Sequence, residues 1–229
     1  GYVANGPLFQ YATLREYLDQ KVKNIIWLYY ENDIFNLDRD LKSKILLKYL
    51  KDKNFSQNLK FKQDKIDNAL TKFLVKVEDL EAKKQLIDKE EKNSLIYKIE
   101  KFITLKNVRE LFLDKYFIKQ NIQKKIRPEF EQILSKSKKL SDKNNSDFYF
   151  VFLPSYERYA YGYDKDQVLY DQIKIIVNKL NIKFIDIHKE FLNNKKNQLE
   201  YFPFKSSGHY NIEGYKEVSK IIYKYIKEN

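Results

Sequence analysis

The sequence predicts an α/β fold, in which a mostly parallel sheet is covered by helices on both faces. Two observations carry this expectation. Short apolar runs rich in β-formers, NIIWLYY at 24–30, FYFVFLP at 148–154 and NIKFIDIH at 181–188, have the composition of strands buried on both faces. Stretches with apolar residues at helical spacing lie between them, and strand–helix–strand alternation of this kind builds parallel sheets.

In chain order, Pro7 opens a helix over PLFQYATLREYLDQ, with Leu8, Tyr11, Ala12, Leu14, Tyr17 and Leu18 on one side. The first strand, 24–30, is broken by ENDIFNL. From about 39 to 143 nearly everything reads as helix: LKSKILLKYL, FKQDKIDNALTKFLVKVEDLEAKKQLID, SLIYKIEKFITLKNVRELFL and RPEFEQILSKSKKL carry apolar stripes with charged backs. DKNNSD at 142–147 is a polar turn before the second strand, which stops at Pro154. SYERYAYGYDKD reads as a loop, and DQVLYDQIKIIVNKL at 166–180 as a helix. The third strand, 181–188, precedes a short helix at EFLNN. The last helix follows Asn211, a good N-cap, with Ile212, Tyr215, Val218, Ile222 and Tyr225 at helical spacing. The expected organisation is one α/β domain over 1–229 with a helical insertion at about 39–126.

Composition narrows the function classes. The 229 residues are 43% hydrophobic and 16% aromatic, enough for a sizeable core. Zero cysteines exclude disulfides, thiolate metal sites and a Cys nucleophile. No apolar run of about eighteen residues suggests a membrane span, and no basic-then-apolar leader pattern is present. The chain has no methionine, and GYVANGPLFQ reads as a loop entering a helix. A fragment that has lost its natural N-terminus is therefore expected.

The net charge of +12 invites a nucleic-acid reading, but its distribution argues against one. Residues 39–126 hold 23 Lys and Arg against 13 Asp and Glu, so +10 of the +12 lies in the helical region. Only five of the 44 basic residues are Arg, the preferred residue for bidentate phosphate and base contacts. A solvated lysine-rich face is favoured over nucleic acid, with an anionic membrane surface as the weaker alternative partner.

Ligands of open parallel sheets bind outside the carboxyl ends of the strands. There the sequence places Glu31-Asn32-Asp33 after the first strand and Ser155-Tyr156-Glu157-Arg158-Tyr159 after the second. One short helix beyond the third comes the loop of His209. This histidine, one of two in the chain, is either a residue that caps and packs or a general base fixed at the rim of a core. Asn32 is either an Asx-type turn residue or an amide donor to a developing oxyanion. Asp33 reads as a turn or cap residue. Tyr156 and Arg158 are candidate binders of a carboxylate, sugar or phosphate, against the alternative of a tyrosine-rich surface loop. His188 and His209 lie 21 positions apart without an acidic cluster, so no metal and no cofactor are expected.

These segments resemble the conserved blocks of the SGNH/GDSL hydrolase superfamily. WLYYENDI is similar to its third block, in which a strand ends in a G-x-N-D-like turn whose Asn donates to the oxyanion hole. GHYNIEGYKEVSKII is similar to its final block, in which a catalytic His precedes the last helix. VANGPL resembles the second block, where a Gly backbone N–H completes the hole, matched here by Gly6 or by the position of Ala4. NGPL…TLREYL, YYENDI, FSQN, LPSYERY and FPF…GHYN together look like a bacterial subgroup of SGNH hydrolase-like proteins of unassigned substrate. The resemblance implies a three-layer α/β/α, flavodoxin-like fold and an acyl-ester substrate, which includes acylated carbohydrates. It also implies an extracytoplasmic setting.

The departures are specific. The G-D-S block carrying the nucleophilic Ser does not occur in these residues, and the resemblance implies that it lies upstream of Gly1. The Asp that usually stands three before the His is Ser206 here, so either a Ser–His dyad operates or another acid substitutes, Asp186 being the nearest candidate. The Gly that usually precedes the Asn is Glu31. The alternative to an esterase or acyltransferase is a non-catalytic SGNH-like module for glycan binding or assembly.

Overall fold

The computed structural model describes residues 5–19, 21–92, 125–160, 167–193, 197–205 and 208–228, with the backbone alone considered over 81–92. It is a mixed α/β chain, mostly helical, built around a small three-stranded parallel sheet. Strand β1 (Asn24–Tyr30) pairs with β2 (Asp147–Leu153), and β2 pairs with β3 (Lys183–Asp186). The register sets Tyr30 beside Leu153 and Phe152 beside Asp186, so the three carboxyl ends lie level.

β2 is central, and six of its seven residues are buried, which is why it reads as a continuous apolar run. Its alternate side chains feed two cores. Phe148, Phe150 and Phe152 join Trp27 and Tyr29 on one face. There they meet helices α1 (Pro7–Tyr17), α5 (Pro128–Lys143) and α7 (Gln167–Lys179) through Leu8, Phe130, Ile133, Ile173 and Val177. Tyr149, Val151 and Leu153 face the other way, onto Phe191 of α8 (Ile187–Asn193) and Val218 of α9 (Ile212–Glu228). Each fully buried Phe contributes on the order of 2–3 kcal/mol by removal from water.

α2 (Asp33–Asp40) starts directly after β1, and α3 (Lys44–Lys51) packs on α1. A 52–57 loop follows, clasped by two neighbouring α1 residues. Arg15 donates to the carbonyls of Tyr49, Asp52, Lys53 and Phe55. The buried Glu16 accepts from Tyr49 Oη, Ser56 Oγ and Gln57 N. The sequence pair TLREYL and FSQN is thus one structural unit.

The chain forms two compact units, Gly1–Gln57 with Gln123–Asn229, and Asn58–Ile122. The inserted unit begins later than position 39 because the clasp above holds 44–57 to α1. It opens with a 3-10 turn (Leu59–Lys62) and the long helix α4 (Gln63–Lys92). The helix expected over SLIYKIEKFITLKNVRELFL lies outside the described residues.

β1 ends where ENDIFNL begins, and α2 starts at its third residue. Two local expectations change. SYERY is not a loop but a short helix, α6 (Tyr156–Ala160). β3 ends at Asp186 because its carboxylate accepts from Lys189 N at 3.1 Å, which turns Ile187 and His188 into the first turn of α8.

Candidate active site

The His209 loop is tied down on both sides. Gly208 sits at φ +122°, a conformation glycine adopts without strain. Its carbonyl accepts from Tyr30 Oη at 3.0 Å. Tyr210 is buried and donates from its hydroxyl to Pro154 O at 2.6 Å. Asn211 then caps α9: its Oδ1 accepts from Gly214 N at 2.9 Å, and its Nδ2 donates to Glu200 O at 2.7 Å. Between these anchors His209 is exposed, with its imidazole 4.5 Å from the Tyr30 ring, centre to centre, at 57°. A residue from near the C-terminus is thereby set against the last residue of β1.

Two residues beyond Tyr30, Asn32 occupies the N-cap position of α2 at φ −83°, ψ −2°, the sparsely populated bridge region. Its side chain is exposed and makes no cap bond. The turn is closed instead by Asp33, which reaches back to the strand end: its Oδ2 accepts from Tyr30 N at 3.1 Å. The same oxygen accepts from Gln10 Nε2 at 3.3 Å, and that amide also reaches Asn5 O at 3.4 Å. Gln10 therefore draws the Gly6 loop toward the Asn32 turn. Burial pushes the Asp33 carboxyl up to about 6, against the lowering effect of its Tyr30 and Gln10 bonds.

Gly6 is buried at the N-terminus of α1, and its identity has a packing cause. A Cβ there would lie 2.2 Å from Asp40 Oδ2. That carboxylate accepts from Phe9 N at 3.1 Å, where it caps the exposed amides of α1 and complements the helix dipole. Ala4 and Ser206 lie outside the described residues.

Two expected substrate groups have other occupations. Arg158, 1% exposed, is spent on Glu31 and does not face a ligand: its Nε donates to Oε1 and Oε2 at 2.7 and 3.0 Å, and its Nη2 donates to Oε1. Glu31 Oε2 also accepts from Ser155 N at 3.0 Å. The guanidinium is further held over the ring of Tyr170, 5.2 Å from its centroid. Tyr156 packs edge-on against Phe202, ring centres 5.6 Å apart. The acidic residue standing where a Gly is usual before the Asn is therefore the partner of the SYER arginine.

Asp186 does not orient His209. Its Oδ2 accepts from Tyr170 Oη at 2.5 Å, and its Oδ1 caps α8. Among the described residues no carboxylate bonds to His209. His188 is buried, with Nδ1 3.2 Å from Tyr159 Oη. Burial, aided by the Arg158 charge, lowers its pKa to about 4, while Asp186 opposes the shift. It is a neutral packing residue at neutral pH.

The sequence missed Tyr30, Glu31 and Tyr210 as organisers of the site. Only the GHYN and YYEND strings marked them, and their partners lie far away in sequence. Among the described residues no group of three or more His, Asp or Glu side chains is placed to hold a metal ion, and no helix is long and apolar enough to cross a membrane.

No protein-family model, curated protein or solved structure matches the chain.

Proposed function

We propose that this chain carries part of the active site of an SGNH-type serine esterase or acyltransferase acting on an acyl ester, a class that includes acylated carbohydrates. The observation that carries the reading is the meeting of His209 with Tyr30 at the end of β1, two residues before Asn32. Histidine and amide reach one strand end from positions 177 residues apart, in the order the sequence blocks imply. His209 is the general base and then the acid, and Asn32 with a backbone N–H near Gly6 stabilises the oxyanion.

The nucleophilic serine comes, on this reading, from a segment upstream of Gly1. Among the described residues the outer edge of β1 has no partner strand, and Ile26 and Leu28, on the same face of β1 as Tyr30, are exposed. On this reading a serine-bearing strand pairs with that free edge and widens the sheet.

The test is turnover of p-nitrophenyl acetate and of an O-acetylated oligosaccharide by the complete polypeptide. Asn32→Ala lowers turnover by roughly 10²–10³-fold, the worth of one oxyanion donor. Unchanged turnover in that variant sinks the assignment.

One observation favours a second reading, a non-catalytic glycan-binding or assembly module. His209 has no carboxylate partner among the described residues, and Asp186 is committed to Tyr170 and α8. That reading predicts no turnover, with oligosaccharide binding that survives His209→Ala.

A further inference from the structure

In acyl-transfer triads a carboxylate normally holds the histidine in place, and among the described residues no carboxylate bonds to His209. Tyr30 Oη donates to Gly208 O at 3.0 Å, while the Tyr30 ring lies against the imidazole of His209. One phenol therefore joins the loop that precedes α9 to the last residue of β1. Tyr30 itself is 8% exposed and packed in the core with Leu153, Phe202 and Tyr210, so its ring is a fixed platform.

We propose that Tyr30 is the positioning residue for His209, setting the loop through Gly208 and the imidazole plane through its ring. The inference rests on the esterase reading for its catalytic consequence, but its geometric content stands separately. Burial, with Glu157 nearby, pushes the phenol well above its ordinary value, so it remains a donor throughout any assay range. Tyrosine cannot neutralise an imidazolium as a carboxylate does. It supplies orientation only, and the expected contribution is correspondingly small.

The chain contains two histidines, one exposed and one buried, which makes the experiment clean. Ring-labelled histidine NMR of this chain resolves His209 and His188 as separate signals. Tyr30→Phe keeps the ring and removes the hydroxyl. The expected result is loss of the native His209 shift toward that of a mobile histidine, with the His188 signal unmoved. An unmoved His209 signal overturns the proposal. So does loss of both native signals, because the hydroxyl is then a folding group.

Kinetics on the complete polypeptide with p-nitrophenyl acetate supply the second arm. Tyr30→Phe lowers kcat between about two- and tenfold, the range set by one neutral hydrogen bond, with KM unchanged. A raised KM with unchanged kcat makes Tyr30 a substrate contact and overturns the proposal. Absence of turnover in every form, wild type included, overturns the esterase reading alone. The NMR result then decides whether Tyr30 holds His209.

Discussion

Glu31 and Arg158 form a buried, two-oxygen clasp that joins the carboxyl end of β1 to the helix following β2. The guanidinium side chain has no exposed surface, and the carboxylate also accepts from Ser155 N. Desolvating both ions is costly, and the clasp offsets this only because all three guanidinium nitrogens and both carboxylate oxygens have hydrogen-bond partners, Gln167 Oε1 taking Nη1. Its role is to set the spacing of two strand ends, and so the platform on which Asn32 and Tyr30 stand.

Removing one partner strands the other charge. Glu31→Gln is expected to cost about 3–5 kcal/mol in urea denaturation. The double change Glu31→Gln with Arg158→Met should recover much of that loss, because neither ion then needs solvation. A double variant as unstable as the single one would show that the clasp is not an isolated pair.

Asp33 makes stability fall as pH rises. Its carboxyl moves from 3.8 to about 6 on folding, so the native state holds the proton more tightly than the unfolded chain. The contribution is unpenalised below about pH 4 and is lost as pH climbs through 6. Asp33→Asn keeps an acceptor for Tyr30 N and Gln10. It is expected to be more stable than wild type at pH 7 by about 1–2 kcal/mol after allowance for partial solvent access. The difference should vanish near pH 4 in parallel chemical melts.

His188 acts in the opposite sense over an overlapping window. Its pKa falls from 6.5 to about 4, so the unfolded chain binds the proton more tightly. Stability is then full above about pH 6.5 and is lost as pH falls toward 4, by up to about 3 kcal/mol. His188→Gln removes that slope whatever its constant offset from lost packing. With His188 gone, the Asp33 slope remains, joined by that of Asp40, whose carboxyl burial also raises, and the variant should become more stable, relative to its own pH 7 value, on acidification. A His188→Gln curve parallel to wild type from pH 4 to 6.5 would contradict this.

The fold was legible where the local pattern and the tertiary environment agree. β2 is an apolar run because both of its faces are buried, whereas β1 is equally apolar although Ile26 and Leu28 on one of its faces are exposed. α1, α5 and α9 carry helical stripes with Pro or Asn at their starts. The sequence was less informative where a distant partner decides the local structure. SYERY has no helical signature of its own, and Arg158 belongs to a helix whose arginine is taken up by Glu31, 127 positions away. NIKFIDIH alternates like a strand to its end, yet the Asp186 carboxylate captures an amide three residues on and starts a helix. In the candidate site, His209 and Asn32 stood out as residue types at strand ends. Tyr30 did not, because a tyrosine in an apolar strand looks like core, and here it is buried while also bonding Gly208 O and lying against the His209 ring.

Gly6 provides the last test, because one neighbouring carboxylate accounts for the absence of a side chain there. Its Cα lies under the Asp40 carboxylate, which caps α1 through Phe9 N. Gly6→Ala places a methyl group where Asp40 Oδ2 sits, so either the cap or the α1–α2 approach must shift, at about 1–3 kcal/mol. Asp40→Ala alone loses the cap, about 1 kcal/mol. The two effects share one cause, so the double variant should cost less than the sum of the singles, a coupling readable in a thermal double-mutant cycle. Additive losses would mean that the nearby Asn36 backbone, and not Asp40, excludes a side chain at Gly6.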